Sequence, residues 1–363
     1  LLAAWCLEGT GISYTVIEKG NVYFKRDKEL PYDVSYGFGG AGLFSDGKLS
    51  YSPAASQMWG KLDSKRLHIA YDKTRKLFAK IGVELREWSE DWVKNQNSLK
   101  TTIKEYESVY LNKEQRIRLL EVLYDQLNSE IIFDKNVNEV KIIDDGYKVI
   151  CEDGSVYNLI MATGKSSCFK LLGEDSEIRW KYWDEMGVRI EVDKDEFLPK
   201  DKATLDFKYI ENIDDTTEIR TFCSCKKGIV RKSLYENHIT YNGEAINSVD
   251  AKSNIGIVVR TQAPDSEYAK EMQACFSDEK VKECNIIEYG SEYPIIGAQT
   301  DREIKTVIGQ LVKNEYNGKV YGPEIEKHGY YPILDEKLMC RTGLYFVGDA
   351  TAIFRGLMAA FIS

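Results

Sequence analysis

An α/β fold with a second, β-rich domain is what the sequence predicts, on three observations. The chain opens on the second half of a β-α-β unit, Leu1 to Gly20. A helix, a strand and a tight meander then lead to Ala162-Thr163-Gly164. From Lys165 to Asp335 the character changes to a series of short strand-like runs with two helical patterns after them. With 363 residues, the chain suits roughly two domains rather than one small core.

The first element, Leu1 to Glu8, reads as an apolar helix of small and large residues, and Gly9 and Gly11 supply helix-stop chemistry. Ser13 to Gly20 is β-rich and closes on Glu18-Lys19. In a dinucleotide-binding fold, the acidic residue ending the second strand accepts hydrogen bonds from the adenosine ribose. Glu18 fits that role; an edge-strand glutamate with no ligand is the plainer alternative. The pattern begins midway, so the first strand and its phosphate-cradling glycines are expected upstream of Leu1.

The next signal is Gly39-Gly40-Ala41-Gly42-Leu43-Phe44-Ser45-Asp46-Gly47-Lys48-Leu49. Absent side chains let backbone N–H groups approach a bulky anionic cofactor. A literal G-x-G-x-x-G falls at Gly37, Gly39 and Gly42, but it reads as a decoy. The dinucleotide fingerprint needs a strand before it and a helix directly after it, and Ser45, Asp46 and Gly47 break any helix here.

Helical periodicity is expected over Gln57 to Gly82, over Glu84 to Val93 and over Tyr106 to Asn128. Strands follow at Ile131 to Phe133, Glu139 to Ile143, Tyr147 to Cys151 and Val156 to Ala162. Asp145-Gly146 and Asp153-Gly154 act as hairpin turns. The second region offers strands at Arg189 to Val192, Ala203 to Tyr209, Glu218 to Cys223, Gly228 to Leu234, His238 to Tyr241 and Ile255 to Thr261. Helices are expected near Ser266 to Phe276 and Asp301 to Lys313. The closing stretch, Gly343 to Ala350, is an apolar strand ending in Gly348-Asp349, where a carboxylate can meet the hydroxyls of a flavin's ribityl chain. Together these segments describe a Rossmann-like FAD-binding domain, first strand missing, with a β-rich inserted α+β substrate domain. The boundaries are 1–60, 130–172 and 335–363 for the FAD-binding domain, 61–129 for a helical connection and 173–334 for the substrate domain.

Composition narrows the function classes. Hydrophobic residues make up 43% and charged residues 29%, the balance of an ordinary globular protein. The net charge of −9 carries no basic stripe, which argues against nucleic acid and against a flavoenzyme that modifies RNA. No apolar run reaches the roughly 18 residues of a membrane span. The eight cysteines are scattered and read as reduced and cytoplasmic.

On these residues the chain resembles the family of FAD-dependent dehydrogenases, NAD(P)/FAD-dependent oxidoreductases whose flavin domain is of the glutathione-reductase type. Gly39 to Leu49 is similar to the family's Gly-Gly-Ala-Gly-x-Phe-Ser-Asp-Gly-Lys-Leu segment. Ile160 to Gly164 is similar to its Ala-Thr-Gly strand end, Thr221-Phe222-Cys223-Ser224-Cys225 to its Phe-Cys-x-Cys segment, and Gly343 to Leu357 to its closing motif. Three departures stand out, the first being the missing N-terminal glycine fingerprint. Lys226-Lys227-Gly228 replaces Pro-Gly-Gly, and Ala350 to Arg355 is bulkier than the family's Gly-rich turn.

The resemblance implies FAD as cofactor and a hydride or electron pair moved between FAD and a small organic substrate. A flavin carries its own redox chemistry, so many cofactor contacts and few catalytic side chains are expected. Glu18 would hold the ribose with Lys19 beside it, and Gly39, Gly40, Ala41 and Gly42 would line the pyrophosphate or the ring. Val140 would offer backbone to adenine or is a plain core valine. Ala162, Thr163 and Gly164 would flank the FAD. Gly348 and Asp349 would meet the ribityl chain, with Asp349 as a helix N-cap the alternative. The helix starting near Gly356 and Leu357 would direct N–H groups at the flavin pyrimidine.

Asp46 and Lys48 are the acid–base candidates, weighed against an ordinary surface turn. Cys223 and Cys225 read as alternate residues on one strand face, and His68, His238 and His328 as structural or surface residues, so no metal site is expected. No second dinucleotide fingerprint occurs, so NAD(P)H would serve only as a transient donor. A non-redox flavin-fold binding protein, or a truncated remnant unable to hold FAD, is the competing expectation. In line with it, the 363-residue chain alone is expected to bind FAD weakly or not at all. Substrate and oligomeric state are not legible.

Overall fold

The computed structural model describes all residues except 55–57, 60–61, 95–102, 151–154, 157, 166–167, 174–176, 194–205, 226, 247–251, 279–281, 314–317 and 355. Gln57, Cys151, the Asp153-Gly154 turn, Ala203, Lys226 and Arg355 lie outside the described residues. The chain is mixed α/β with several sheets, and it divides into two units.

The first unit comprises Leu1–Leu99, Val109–Lys181 and Tyr330–Ser363. Its opening helix is Leu2–Leu7, and Gly9 and Gly11 both take positive φ just past its end. The strand Val16–Ile17 runs parallel to Ile131–Ile132. Leu159–Met161 runs parallel to Leu344–Phe346, which also takes Met339–Arg341 antiparallel. These are separate sheets, and no continuous parallel sheet forms among the described residues. The meander is present as Glu139–Ile143, Gly146–Ile150 and Ser155–Val156. The Tyr147 hydroxyl ties it to the closing segment by donating to Thr342 O at 2.6 Å.

The expected helices of 57–128 are shortened by their own caps. Asp63 Oδ1 accepts from Lys65 N at 2.7 Å and starts the helix Ser64–Ala79. Leu67, Tyr71, Leu77 and Phe78 on it enter a core with Trp59 and Trp92. Asn112 and Gln115 form a reciprocal capping box, so the next helix is Lys113–Tyr124 and not Tyr106 to Asn128. Before it, Ser108–Tyr110 pairs as a strand with Lys48–Ser50. Glu84 to Val93 is not a helix either; only Asp91–Lys94 is. Side chains take up the backbone groups of Leu85 and Arg86: Arg75 Nε donates to Leu85 O, Tyr71 OH donates to Arg86 O and Arg86 N donates to Tyr51 OH. With the backbone groups met by side chains, a helical ladder is not needed there.

The second unit comprises Lys100–Ser108 and Tyr182–Gly329. Its centre is a seven-stranded antiparallel sheet in the order Lys282–Asn285, Lys319–Lys327, Asp184–Val192, Ser253–Thr261, Thr217–Cys225, Asp206–Asn212 and Ile103–Tyr106. Alternation gives the sheet two chemically different faces. Met186, Val188, Ile190, Ile255, Ile257 and Val259 join one apolar core with Met272, Ile304 and Ile308 of the helices Glu267–Ser277 and Ala298–Leu311. Glu185, Arg189, Asn254 and Arg260 alternate with them on the opposite face and are all buried.

A separate hairpin, Gly228–Tyr235 with His238–Ala245, completes the unit; Thr240 Oγ1 in it accepts from Ile325 N at 2.7 Å. The strands at 282–285 and 319–327 are absent from the sequence reading. Charges at Glu324, Glu326 and Lys327, and Pro323, mask the second as a core strand. Arg189 makes Glu324 tolerable there through a 2.5 Å ion pair, both side chains fully buried.

Cys223 and Cys225 do not sit as plain alternate residues. The ladder shifts register between Phe222 and Cys225, and Cys223 takes φ 44°. The bulge turns the Cys223 carbonyl to accept from Arg189 Nη1 at 2.9 Å.

Candidate cofactor site

All the residues singled out for FAD lie in the first unit. Glu18 ends the Val16–Ile17 strand, and its Oε1 accepts from Gly20 N at 2.9 Å and from Gly37 N at 3.1 Å. The glutamate thus ties the strand end to the start of the glycine segment. Lys19 beside it places Nζ 4.0 Å from the centre of the Tyr36 ring, and the Tyr32 hydroxyl donates to Lys19 O.

Arg26, which sequence reasoning passed over, clamps this stretch. Its guanidinium donates to Asp33 O at 2.8 Å, Phe38 O at 3.0 Å and Val34 O at 3.3 Å. Burial pushes its pKa down to about 10 against the pull of Glu18 and Asp33. A Cβ on Gly37 would lie 2.7 Å from Asn21 O and from Arg26 Cδ, so the crowding around the arginine demands glycine there. No sequence pattern marks an arginine whose hydrogen bonds go to backbone carbonyls.

The segment from Gly39 continues as a 3₁₀ turn, Gly40–Phe44, with the helix Pro31–Ser35 and no strand directly before it. The literal G-x-G-x-x-G is therefore no dinucleotide fingerprint. A Cβ on Gly42 would meet Leu357 Cδ2 at 2.7 Å, so this turn lies against the start of the closing helix Leu357–Ile362. Ala41 and Gly40 are exposed.

Asp46 and Lys48 follow in a clamped turn. Asp46 Oδ1 accepts from Lys48 N at 3.1 Å, and the Lys48 ammonium lies 3.6 Å from Asp46 Oδ2 with both side chains under a tenth exposed. Leu111 N donates to Gly47 O at 2.9 Å, and Arg116 Nη1 donates to Ser45 O. These contacts rule out the surface-turn alternative.

The closing segment meets the Ala-Thr-Gly segment through the parallel pair. Val347 N donates to Met161 O at 3.0 Å, so Ala162-Thr163-Gly164 and Gly348-Asp349 leave neighbouring strands at the same end. Ala162, Thr163 and Gly164 are exposed, and Gly164 takes φ 75° with nothing within 4 Å of a Cβ placed on it. The Thr163 hydroxyl lies 3.0 Å from the sulfur of Cys168, whose thiol burial pushes up to about 12.

Gly348 donates its N–H to Ser363 Oγ at 2.9 Å and opens the 3₁₀ turn Gly348–Thr351, with Asp349 half-buried in it. Thr351 braces the bulkier turn by accepting from Ile353 N and Phe354 N. Gly356, and not Asp349, is the N-cap of Leu357–Ile362. Val140 is buried in the core on the edge strand of the meander, paired with Val149.

A pocket of about 200 Å³ also occurs in this unit, lined by Arg179, Leu334, Asp335, Met339, Cys340 and Arg341 among others. None of the glycine segments lines it.

No family profile matches the sequence. No curated protein matches it either. Among solved structures, the chain is similar to the Diels-Alderase PyrE3 of pyrroindomycin biosynthesis at 12% identity and a TM-score of 0.38, covering 96% of this chain and 57% of that one. It is similar to CtdE, solved in complex with FAD and a substrate, at 10% identity and a TM-score of 0.35, over 96% of this chain and 71% of that one. A third is the anhydrotetracycline hydroxylase OxyS from Streptomyces rimosus, at 12% identity and a TM-score of 0.35, over 96% of this chain and 54% of that one. The chain thus spans little more than half of PyrE3 and OxyS. At these scores the likenesses establish no shared fold. No helix among the described residues is long and apolar enough to cross a membrane.

Proposed function

We propose that the first unit binds FAD and that the protein is an FAD-dependent oxidoreductase, moving a hydride or electron pair between a small organic substrate and the flavin. One observation carries the reading. Segments far apart in sequence meet pairwise in a series: Glu18 with Gly37, Gly42 with Leu357 at the start of the closing helix, Gly348 with Ser363 at its end, and Val347 with Met161. Along that series Gly40, Gly164 and Gly356 take positive φ with nothing within 4 Å of a Cβ. Such backbone admits a ligand's close approach.

The residues fit the cofactor. A carboxylate has about four acceptor sites, and the Glu18 bonds recorded here all fall on Oε1, leaving Oε2 for the adenosine ribose. Gly39 to Gly42 would lie along the pyrophosphate, Ala162 to Gly164 and Gly356-Leu357 beside the flavin, and Gly348-Asp349 at the ribityl hydroxyls. When bound, FAD supplies the two-electron chemistry. The protein binds and orients it, with Asp46 and Lys48 as the paired groups able to hold a proton beside the glycine segment.

The test is an FAD titration, followed by flavin fluorescence, of the complete reading frame that contains this chain. Asp349→Ala and Glu18→Gln should each weaken binding about 10- to 100-fold, the worth of hydrogen bonds to a charged acceptor. Unchanged affinity in both variants, or no binding by the parent protein, overturns the assignment.

A further inference from the structure

Two of the chain's three histidines, 90 positions apart, meet around one phenylalanine in the second unit. The His328 ring stacks on Phe276 at 4.2 Å between centroids and 25° between planes, and His238 lies 3.8 Å from the same ring. Asp184 opens the strand Asp184–Val192, and His328 directly follows the neighbouring strand Lys319–Lys327, so sheet pairing delivers one to the other.

His328 Nδ1 lies 3.0 Å from Asp184 Oδ1. That oxygen already accepts from Gly329 N at 2.9 Å, and the Tyr182 hydroxyl donates to Oδ2. Asp184 is therefore an acceptor on every side, and Nδ1 must be the donor. The backbone is pinned as well, since His328 N donates to the Tyr235 hydroxyl at 3.0 Å. The Asp184 side chain is fully buried, whereas 18% of the His328 side chain is exposed. Nε2 of His328 makes no hydrogen bond among the described residues.

A buried carboxylate that fixes an imidazole's tautomer and leaves the far nitrogen open is the geometry of an oriented base. We propose that Asp184 and His328 form a proton-accepting dyad, with His328 Nε2 the general base toward the O–H, N–H or S–H group of a small polar molecule. The proton passes to Nε2 and the bonding pair stays on the substrate heteroatom. The ring becomes imidazolium, with its Nδ1–H still bonded to Asp184. Asp184 is the positioning residue; the Phe276 face stacks on the ring, and the Tyr235 hydroxyl holds the His328 backbone. The dyad stands within the second unit alone and does not depend on the flavin assignment.

Two measurements on the complete protein test it. Long-range ¹H–¹⁵N NMR of ¹⁵N-histidine-labelled protein at neutral to mildly alkaline pH should show His328 as the Nδ1–H tautomer with bare Nε2. The Nε2–H tautomer overturns the proposal. The probe reaction is hydrolysis of 4-nitrophenyl acetate, in which Nε2 takes a proton from the attacking water and 4-nitrophenolate leaves. His328→Gln should remove a component of the rate that slows in D₂O, while His68→Gln should leave that component in place. Asp184→Asn should lower it about tenfold or more, as loss of an orienting partner does. If Asp184→Asn fails to fold, the tautomer and the His328→Gln comparison still decide. An unchanged rate in His328→Gln, or a component that does not slow in D₂O, overturns the dyad.

Discussion

Gly164 offers the cleanest separation of packing from binding. It takes φ 75°, is exposed and has no described atom within 4 Å of a Cβ, so a methyl there meets no described protein atom. The stability cost of Gly164→Ala is then purely one of backbone. A left-handed L-residue costs about 1–2 kcal/mol, and the stiffer unfolded chain returns about 0.4–1 kcal/mol. The net loss is about 1 kcal/mol. Asparagine tolerates the left-handed region, so Gly164→Asn should cost less still. If the flavin passes beside this backbone, both side chains occupy the space it needs. Affinity should fall by about tenfold or more, since each 1.4 kcal/mol of lost contact is a factor of ten. Urea unfolding of the variants gives the first quantity and FAD titration the second. Gly164→Asn binding FAD as tightly as the parent would refute the placement of Ala162 to Gly164 at the cofactor. A large loss of stability in the asparagine variant would show instead that unseen packing dictates the glycine.

Gly47→Ala should behave in the opposite way. Its Cβ would lie 2.2 Å from the backbone oxygen of Leu111 at φ 68°, and a stability loss above about 3 kcal/mol in urea is expected as the turn carrying Asp46 and Lys48 is forced apart. Glu324→Gln should cost about 3–5 kcal/mol, because it leaves the buried Arg189 guanidinium facing a neutral partner. Burial opposes the Arg189 charge and Glu324 more than offsets it, holding the pKa above the ordinary arginine value. Paired apolar replacement, Arg189→Met with Glu324→Leu, should recover most of that loss. At high pH, Cys168 and Cys275, both raised by burial to about 12, hold protons that the unfolded chain releases near pH 9. The stability they contribute is whole below about pH 9 and drains away as the pH climbs toward 12. Cys168→Ala should flatten that decline in thermal melts.

Local signals in this chain were legible wherever they act on their nearest neighbours. Asp145-Gly146 set the first meander hairpin, and the glycines after Leu7 stopped the first helix where expected. Glu18 is legible as an acid at a strand end, and the literal glycine fingerprint fails on its flanking residues alone. The reading failed where distant partners decide. Lys319–Lys327 looks too charged for a core strand until Arg189, 135 positions from Glu324, supplies the countercharge. Leu85 and Arg86 look helical until Tyr51, Tyr71 and Arg75 take their backbone groups. Cys223 and Cys225 look like simple alternation, yet Arg189 draws the carbonyl between them into a bulge. In each case a cation or hydroxyl from beyond the local turn changes what the backbone can do, and for Glu324 and Cys223 it lies far outside any window of neighbouring residues.

The glycines show why composition alone does not make a site. Gly20, Gly37, Gly39, Gly42 and Gly47 are crowded, with a Cβ on each lying 2.2–2.7 Å from a neighbour, and packing accounts for them. Gly9, Gly11, Gly82 and Gly173 have room but lie in the turns that follow helices, where a left-handed residue is the usual stop. Gly40, Gly164 and Gly356 have room and end no helix. Their positive φ favours glycine on backbone grounds, yet no neighbouring atom needs the space that the missing Cβ leaves. That open space lies on the segments proposed to meet the flavin, where a ligand could approach the backbone closely. The sequence shows all of these glycines alike; only their surroundings separate those that packing needs from those that a ligand would need.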